Sequence, residues 1–310
     1  MLFRSLKSPA TIQGFGVHGN APATIVLHPA DVNSGVVFLR TGLPGGRERL
    51  IEAKWGNVVA TELCTVVGDG SGARIATIEH LMAALSGLQV DNVLVEIDGP
   101  EMPIMDGSAA QFVAAIDEVG LAEQSRPRRY IKIVKPVRVE HGGGFAEWTP
   151  AERGFKVDVE IDFQARAIGR QRRTFDLDPT VFRRDICRAR TFGFLADVKK
   201  LWKAGFALGS SLENSVALEG DDVLNPEGLR YGDEFVRHKA LDAIGDLALA
   251  GAPFIGNYRS YRPGHTINAK ALAALLEDRR AYEFVEVVSR RAFGSLSPRL
   301  AAAAFAPPSV

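Results

Sequence analysis

Residues 235–246 read FVRHKALDAIGD, with His238, Asp242 and Asp246 each four positions from the last. On an α-helix such residues lie one above the other on one face. At about 100° per residue, Val236, Ala240, Leu241, Ile244, Leu247 and Ala248 take the other side. Two chemistries suit an imidazole–carboxylate–carboxylate stripe. One is a solvated surface with His–Asp pairing at i, i+4. The other is metal ligation, in which neutral imidazole and carboxylate one turn apart converge on one ion. Asp246 would then orient a neighbouring group.

A metal needs a further ligand, and TIEHLMAALSGL (77–88) offers one. Its spacing predicts a helix with Thr77 as N-cap, which makes Glu79 and His80 first-turn residues. The positive end of the helix dipole favours a carboxylate and disfavours an imidazolium. His80 is thus left neutral and able to ligate beside an ionised Glu79. A glutamate next to a ligand is a recurring general base, although capping and packing explain the pair equally well. YRPGHTINAKAL places His265 in a Pro-Gly turn before a helix that Asn268 is expected to cap. In ARTFGF (189–194), the Thr191 hydroxyl is able to donate to an oxyanion or to cap a turn.

Other features read as structural. His28 is expected at a strand end, His141 in a surface turn and Cys64 as a small buried residue. VVGDGSGA (66–73) has glycines but no following lysine, and neither a phosphate loop nor a GxSxG elbow occurs.

The elements that must position these groups fall into two halves. Runs 23–30, 35–41 and 58–68 have β character; 77–88 has helical spacing, 92–98 is strand-like, and 108–120 is helical with a Ser108/Gln111 capping box. AEQSRPRR (122–129) reads as a linker. The order then recurs: strands at 130–140, 142–150 and 155–163, helices near 179–188, 196–204 and 233–250, a strand at 254–261 and a helix over 268–286. Each half is a mixed sheet with helices on one side, an α+β pattern.

Composition excludes several classes. The 310 residues, 46% hydrophobic, suffice for two domains with sizeable cores. Lys+Arg and Asp+Glu both number 37, so no global charge favours nucleic acid or an anionic membrane surface. Two cysteines exclude a disulfide framework and fit a reducing compartment. No run approaches the ~18–20 apolar residues of a membrane span, and the N-terminus lacks a signal-peptide core. A soluble cytoplasmic protein is the expectation.

Taken together, IEHLMAALSGLQVDNVLVEIDGPEMPIMDGSAAQF (78–112), RARTFGF (188–194), LNPEGLRYGDEFVRHKALDAIGDL (224–247) and Gly264-His265 resemble the UDP-3-O-acyl-N-acetylglucosamine deacetylase family. The likeness runs in order over residues 5–285. These enzymes commit sugar nucleotides to lipid A synthesis in Gram-negative bacteria. The resemblance implies an α+β fold of two similar domains, each a β-sheet layered against a pair of helices, with the active site in the cleft between them. The implied division is 1–125, 129–290 with an acyl-passage insert, and a tail at 291–310. It implies Zn²⁺ on His80, His238 and Asp242, an N/O site that Fe²⁺ also fits. By the same likeness Glu79 is the general base, Thr191 stabilises the oxyanion, and His265, held cationic by Asp246, protonates the leaving amine. Lys239 would face phosphate and Phe163 would stack on uracil. Phe192, Phe194, Leu195, Val198 and Ala207 would line the acyl passage. The implied partner is an acylated UDP-sugar bound by a monomer, with no nucleic acid and no stable membrane insertion.

Two departures stand out: Gly19-Asn20 where a small hydroxyl residue and glycine are common, and Ser210 where glycine is usual. The alternatives are a metal-dependent deacylase of another acylated sugar and a non-catalytic binding protein. The second would be expected to have lost Glu79 or a ligand.

Overall fold

Period-two burial sets the first sheet. Strand Pro22–Pro29 buries Ala23, Ile25 and Leu27 and turns the residues between them outward. A computed structural model describes residues 1–286, so the tail 291–310 lies outside the described residues. The first sheet has five strands, in the order Ala10–Phe15, Pro22–Pro29, Val93–Ile97, Val36–Leu43 and Arg47–Glu52. Helix α1 (Glu79–Leu88) packs on α2 (Ala110–Val119), which also lies on Ala10–Phe15.

The second half is built on a seven-stranded sheet. Phe254–Tyr261 lies at its centre, parallel to Arg129–Ile133 and Phe155–Asp162 and antiparallel to Gly144–Thr149. Tyr282–Glu286 borders Arg129–Ile133, and Arg170–Asp176 borders Phe155–Asp162. The short α3 (Pro179–Val181) runs into a π-helical turn, Phe182–Ile186. Next comes a small unit made of α4 (Leu195–Lys203) and the three-stranded sheet Phe192–Phe194, Val216–Glu219, Asp222–Val223. Helices α5 (Glu234–Leu247) and α6 (His265–Glu277) pack on the large sheet and on each other. The fold is α+β. No helix among the described residues is long and apolar enough to cross a membrane.

The decisive contact is between α1 and α5. Helix α5 has no solvated face: every residue except Lys239 is buried. Its polar stripe, the feature that resembled a surface, faces α1 and α6. Gly245 permits the approach, since a Cβ there would stand 2.0 Å from the Glu79 carbonyl oxygen. That distance is well inside van der Waals contact, so any side chain would push the helices apart.

Several boundaries differ from the sequence reading. The expected linker is a strand, Leu121–Pro127, antiparallel to Leu2–Leu6; its polar residues are the outward side of an edge ribbon. Thr77 does not cap α1, because its hydroxyl donates to Glu101 Oε1 at 3.2 Å and Ile78 occupies the cap position. Ser108 lies two residues before α2, where its hydroxyl donates to Asp106 and accepts from the Ala110 N–H, so no capping box forms. The last helix ends at Glu277. Asp278 then accepts from the Arg280 N–H in a turn, and the β-favouring Tyr282, Phe284 and Val285 form a strand.

Replacing Gly245 by Ala is expected to destabilise the fold by about 1–3 kcal/mol through overpacking, seen as a lower denaturation midpoint in urea. An unchanged midpoint would mean that α1 and α5 are not held at contact distance.

Candidate active site

Helix α1 starts abruptly because Thr77 adopts φ +60°, a costly conformation for a β-branched residue. Its hydroxyl bond to Glu101 and the Ile78 N–H bond to the Thr65 carbonyl (3.3 Å) hold it there. Glu79 and His80 therefore leave the first turn pointing inward, and both are buried.

From α5, His238 and Asp242 meet them. Asp242 Oδ1 lies 3.3 Å from His238 Nε2 and 3.7 Å from His80 Nε2. The three ligand atoms lie within 4.8 Å of one another, and all three residues are buried. His238 Nδ1 is 3.0 Å from the Ala189 carbonyl, so that nitrogen carries the proton and Nε2 presents its lone pair. Asp242 Oδ2 accepts from Lys239 Nζ at 3.0 Å, whereas the buried Oδ1 has no hydrogen-bond partner. Two acceptors face each other here with no donor between them, an arrangement that a cation resolves. The residues fit a divalent metal ion.

The electrostatics separate the two histidines that α5 and α6 bring to the site. Burial pushes His238 down to about 3, against the pull of Asp242. Asp242 is held well below the usual carboxylate range: burial opposes the charge, and the cationic Lys239 beside it favours it. At His265 burial also disfavours the cation. Asp246, Glu79 and the hydrogen bond to Asp246 overcome it and raise the imidazole to about 10. Glu79 is raised by burial, with His265 and His80 opposing the rise. Cys64, raised to about 12 chiefly by burial and then by Glu79, is no nucleophile.

His265 Nε2 lies 3.8 Å from Glu79 Oε1, and its Nδ1 lies 2.9 Å from Asp246 Oδ2. His265 keeps 12% side-chain exposure and is the member of this group that opens to solvent. Two residues of this network were not assigned to it by the sequence reading. Asn268 does not cap α6, which begins at His265; it is buried and donates to Asp246 Oδ2 at 2.8 Å. Thr65 had no signal in the sequence, yet its N–H donates to Glu79 Oε2 at 3.0 Å and its hydroxyl to Asp246 Oδ1 at 2.5 Å.

The remaining candidates surround this centre. Thr191 is fixed through its backbone, donating to the Gly107 carbonyl at 2.8 Å and accepting from the Val216 N–H. Gly107, at φ +78°, must lack a side chain, because a Cβ would meet the Asn214 carbonyl oxygen at 1.9 Å. Lys239 pairs with Asp242 and lies 5.5 Å from the Phe192 ring centroid. Phe163 packs edge-on against Phe192 at 5.7 Å and tilts on Phe194 at 6.2 Å, while Phe192 reaches His238 at 6.3 Å. The expected uracil-stacking and acyl-lining residues thus form one aromatic cluster. Leu195 and Val198 are half-buried on α4, and Ala207 is buried in the turn after it at φ +54°. Trp202, Phe206, Leu208 and Leu212 are the exposed apolar residues of this unit. Its edge bonds to the turn after Ala10–Phe15 through Leu208 N–H to His18 and Gly209 N–H to Val17. Asn20 in that turn has φ +49°, which explains why glycine suits the position. His28 pairs with Glu96 of the neighbouring strand, and His141 is an exposed strand end.

The family model for LpxC, UDP-3-O-acyl N-acetylglycosamine deacetylase, matches residues 4–277, a span that includes every candidate site residue. The chain belongs to this family. It is 50% identical over 285 residues to the UDP-3-O-acyl-N-acetylglucosamine deacetylases of Brucella ovis and Brucella abortus, covering 91% of this chain and 98% of each relative. The counterpart of Brucella melitensis is 49% identical over the same length. A protein of the LpxC family in which α1 and α5 bring two imidazoles and a carboxylate together is a metal-dependent hydrolase in architecture.

His265 has a raised pKa in the folded chain, so its contribution to stability is complete below its ordinary value near 6.5 and is lost as pH rises through about 10. NMR titration of the metal-free protein is expected to show a His265 imidazole still protonated at pH 8. In Asp246→Ala that titration should move to lower pH; the same midpoint in both proteins would exclude the pairing as its cause.

Proposed function

We propose that the protein hydrolyses the N-acetyl group of UDP-3-O-[(3R)-3-hydroxyacyl]-N-acetylglucosamine, releasing acetate and the free amine in the committed step of lipid A biosynthesis. The observation that carries the reading is the unpartnered Asp242 Oδ1 between His238 Nε2 and His80 Nε2, one helix turn from the Asp246–His265 pair. We assign Zn²⁺ to His80, His238 and Asp242. The neutral state of His238 and the ionised state of Asp242 favour ligation. Bound there, the ion would polarise the acetyl carbonyl and lower the pKa of a water from ~16 towards ~7. The same N/O set is compatible with Fe²⁺.

The chain's own groups divide the proton work. Glu79, made a stronger base by burial, takes the proton of the attacking water at Oε1. The Thr191 hydroxyl donates to the oxyanion as the carbonyl becomes tetrahedral. His265, cationic because two carboxylates face it, delivers a proton from Nε2 to the departing nitrogen as the C–N bond breaks. Asp246 holds His265 and keeps its Nδ1 protonated. Lys239 neutralises charge beside Asp242 and reaches towards the anionic part of the substrate. The cluster of Phe163, Phe192 and Phe194, continued by Leu195 and Val198, supplies apolar contact for the uracil and acyl portions. Ala207 serves by shaping the turn that supports α4.

The domain division is proposed at 1–125 and 129–290, with the cleft between them holding the substrate. We infer a cytoplasmic monomer that binds no nucleic acid. Two buried free thiols and balanced charge support that setting.

Glu79→Ala should retain stoichiometric metal and lose about 10²–10⁴-fold in kcat, measured by metal analysis and single-turnover assay. Near-wild-type turnover would remove Glu79 from the role of base. Chelation should abolish activity and zinc should restore it. Turnover on the acylated UDP-sugar should exceed that on UDP-N-acetylglucosamine; equal rates would point to another substrate.

A further inference from the structure

We propose that Thr65 is a positioning residue for proton transfer: its backbone N–H and its hydroxyl clamp Glu79 and Asp246 into one fixed setting. This inference rests on the functional reading of Glu79 and His265 given above.

Thr65 precedes the short strand Val66–Gly68 and is buried. It belongs to the N-terminal half, as Glu79 does, whereas Asp246 and His265 come from α5 and α6. A carboxylate only accepts, so the Thr65 hydroxyl donates to Asp246 Oδ1 at 2.5 Å. On the other oxygen, Oδ2, two donors already crowd: His265 Nδ1 at 2.9 Å and Asn268 Nδ2 at 2.8 Å. Asn268 is held in turn by the Tyr258 hydroxyl at 2.7 Å. The plane of the Asp246 carboxylate is therefore set by one donor on one side and two on the other. Without the hydroxyl, Oδ1 is left buried and unpaired, and rotation to recover a partner carries Oδ2 away from His265.

The same residue fixes the other reactive group. The Thr65 N–H donates to Glu79 Oε2 at 3.0 Å, leaving Oε1 directed at His265 Nε2, 3.8 Å away. One residue thus sets the distance between the group that takes a proton and the group that gives one. It does so across the junction of the two halves, where α1 and α5 also meet. A second hydroxyl pair spans the junction nearby, Thr61 to Thr266 at 2.9 Å, so alignment here does not rest on overall docking alone.

The choice of variant follows from the space around the bond. A cavity of about 20 Å³ borders Thr65 and Asp246 and is lined by Val58, Leu249, Ala269 and Leu272. Since about 10–15 Å³ is enough for one water, Thr65→Ala would admit a water that replaces the hydroxyl. Thr65→Val keeps the shape and the backbone N–H and deletes only the donor.

The test uses the zinc-loaded full chain with Thr65→Val, Thr65→Ser and His265→Ala. The readouts are kcat, KM, zinc content and the downfield proton resonance of the His265 Nδ1–H. Thr65→Val is expected to lower kcat by about 10–100-fold, the loss of one hydrogen bond to a charged group, with KM and zinc content unchanged and the resonance displaced. Thr65→Ser should restore both kcat and resonance. Wild-type kcat and resonance in Thr65→Val would overturn the proposal, as would a loss that Ser does not recover. If His265→Ala turned over normally, the reading of His265 itself would fail. If it were inactive while Thr65→Val was unimpaired, only the role of Thr65 would fall.

Discussion

The contact between α1 and α5 is the constraint on which the site depends. Each helix carries part of the chemistry: Glu79 and His80 on one, His238, Asp242 and Asp246 on the other. Neither helix alone brings three ligand atoms within reach of one ion. Gly245 lets the backbones close to a distance that no side chain would tolerate, with the Glu79 carbonyl opposite the missing Cβ. The same packing excludes water from the polar stripe. That exclusion strengthens the interactions inside and makes each unpaired atom costly.

Within this dry seam, identical residue types are driven to opposite states. His238 has one carboxylate near it, and Asp242 is shared with Lys239 and His80; burial wins and the ring is neutral. His265 faces both Asp246 and Glu79, which outweigh its burial, so the cation wins. A neutral imidazole suits ligation and a cationic one suits proton donation. The division of labour comes from the carboxylates each ring faces.

The unit around α4 is tied down at two points. Asn214 closes on Gly107, and the stretch after α4 bonds to the backbone around His18. Both contacts run from the C-terminal half to the N-terminal half, so the aromatic cluster beside His238 is placed by the same docking that builds the metal site. An ion pair across the same junction, the half-buried Arg230 with Asp106, reinforces this placement.

Much of the site could be read from spacing. The i, i+4 recurrence of His238, Asp242 and Asp246, and the position of Glu79-His80 at a helix start, are local properties that periodicity reveals. The succession of strands and helices gave the α+β class for the same reason. Boundaries were less legible: Leu121–Pro127 looked like a linker because an edge strand keeps polar residues on its outer face. Asn268 looked like a cap because short polar residues near a helix start usually are. Thr65 left no trace at all, since a hydroxyl in a β-like run has many ordinary uses. What the chain determined by itself was which side chains share a helix face. Which faces meet, which nitrogen keeps its proton and which oxygen stays unpaired were decided by tertiary packing, because burial and neighbouring charge act between residues far apart in sequence.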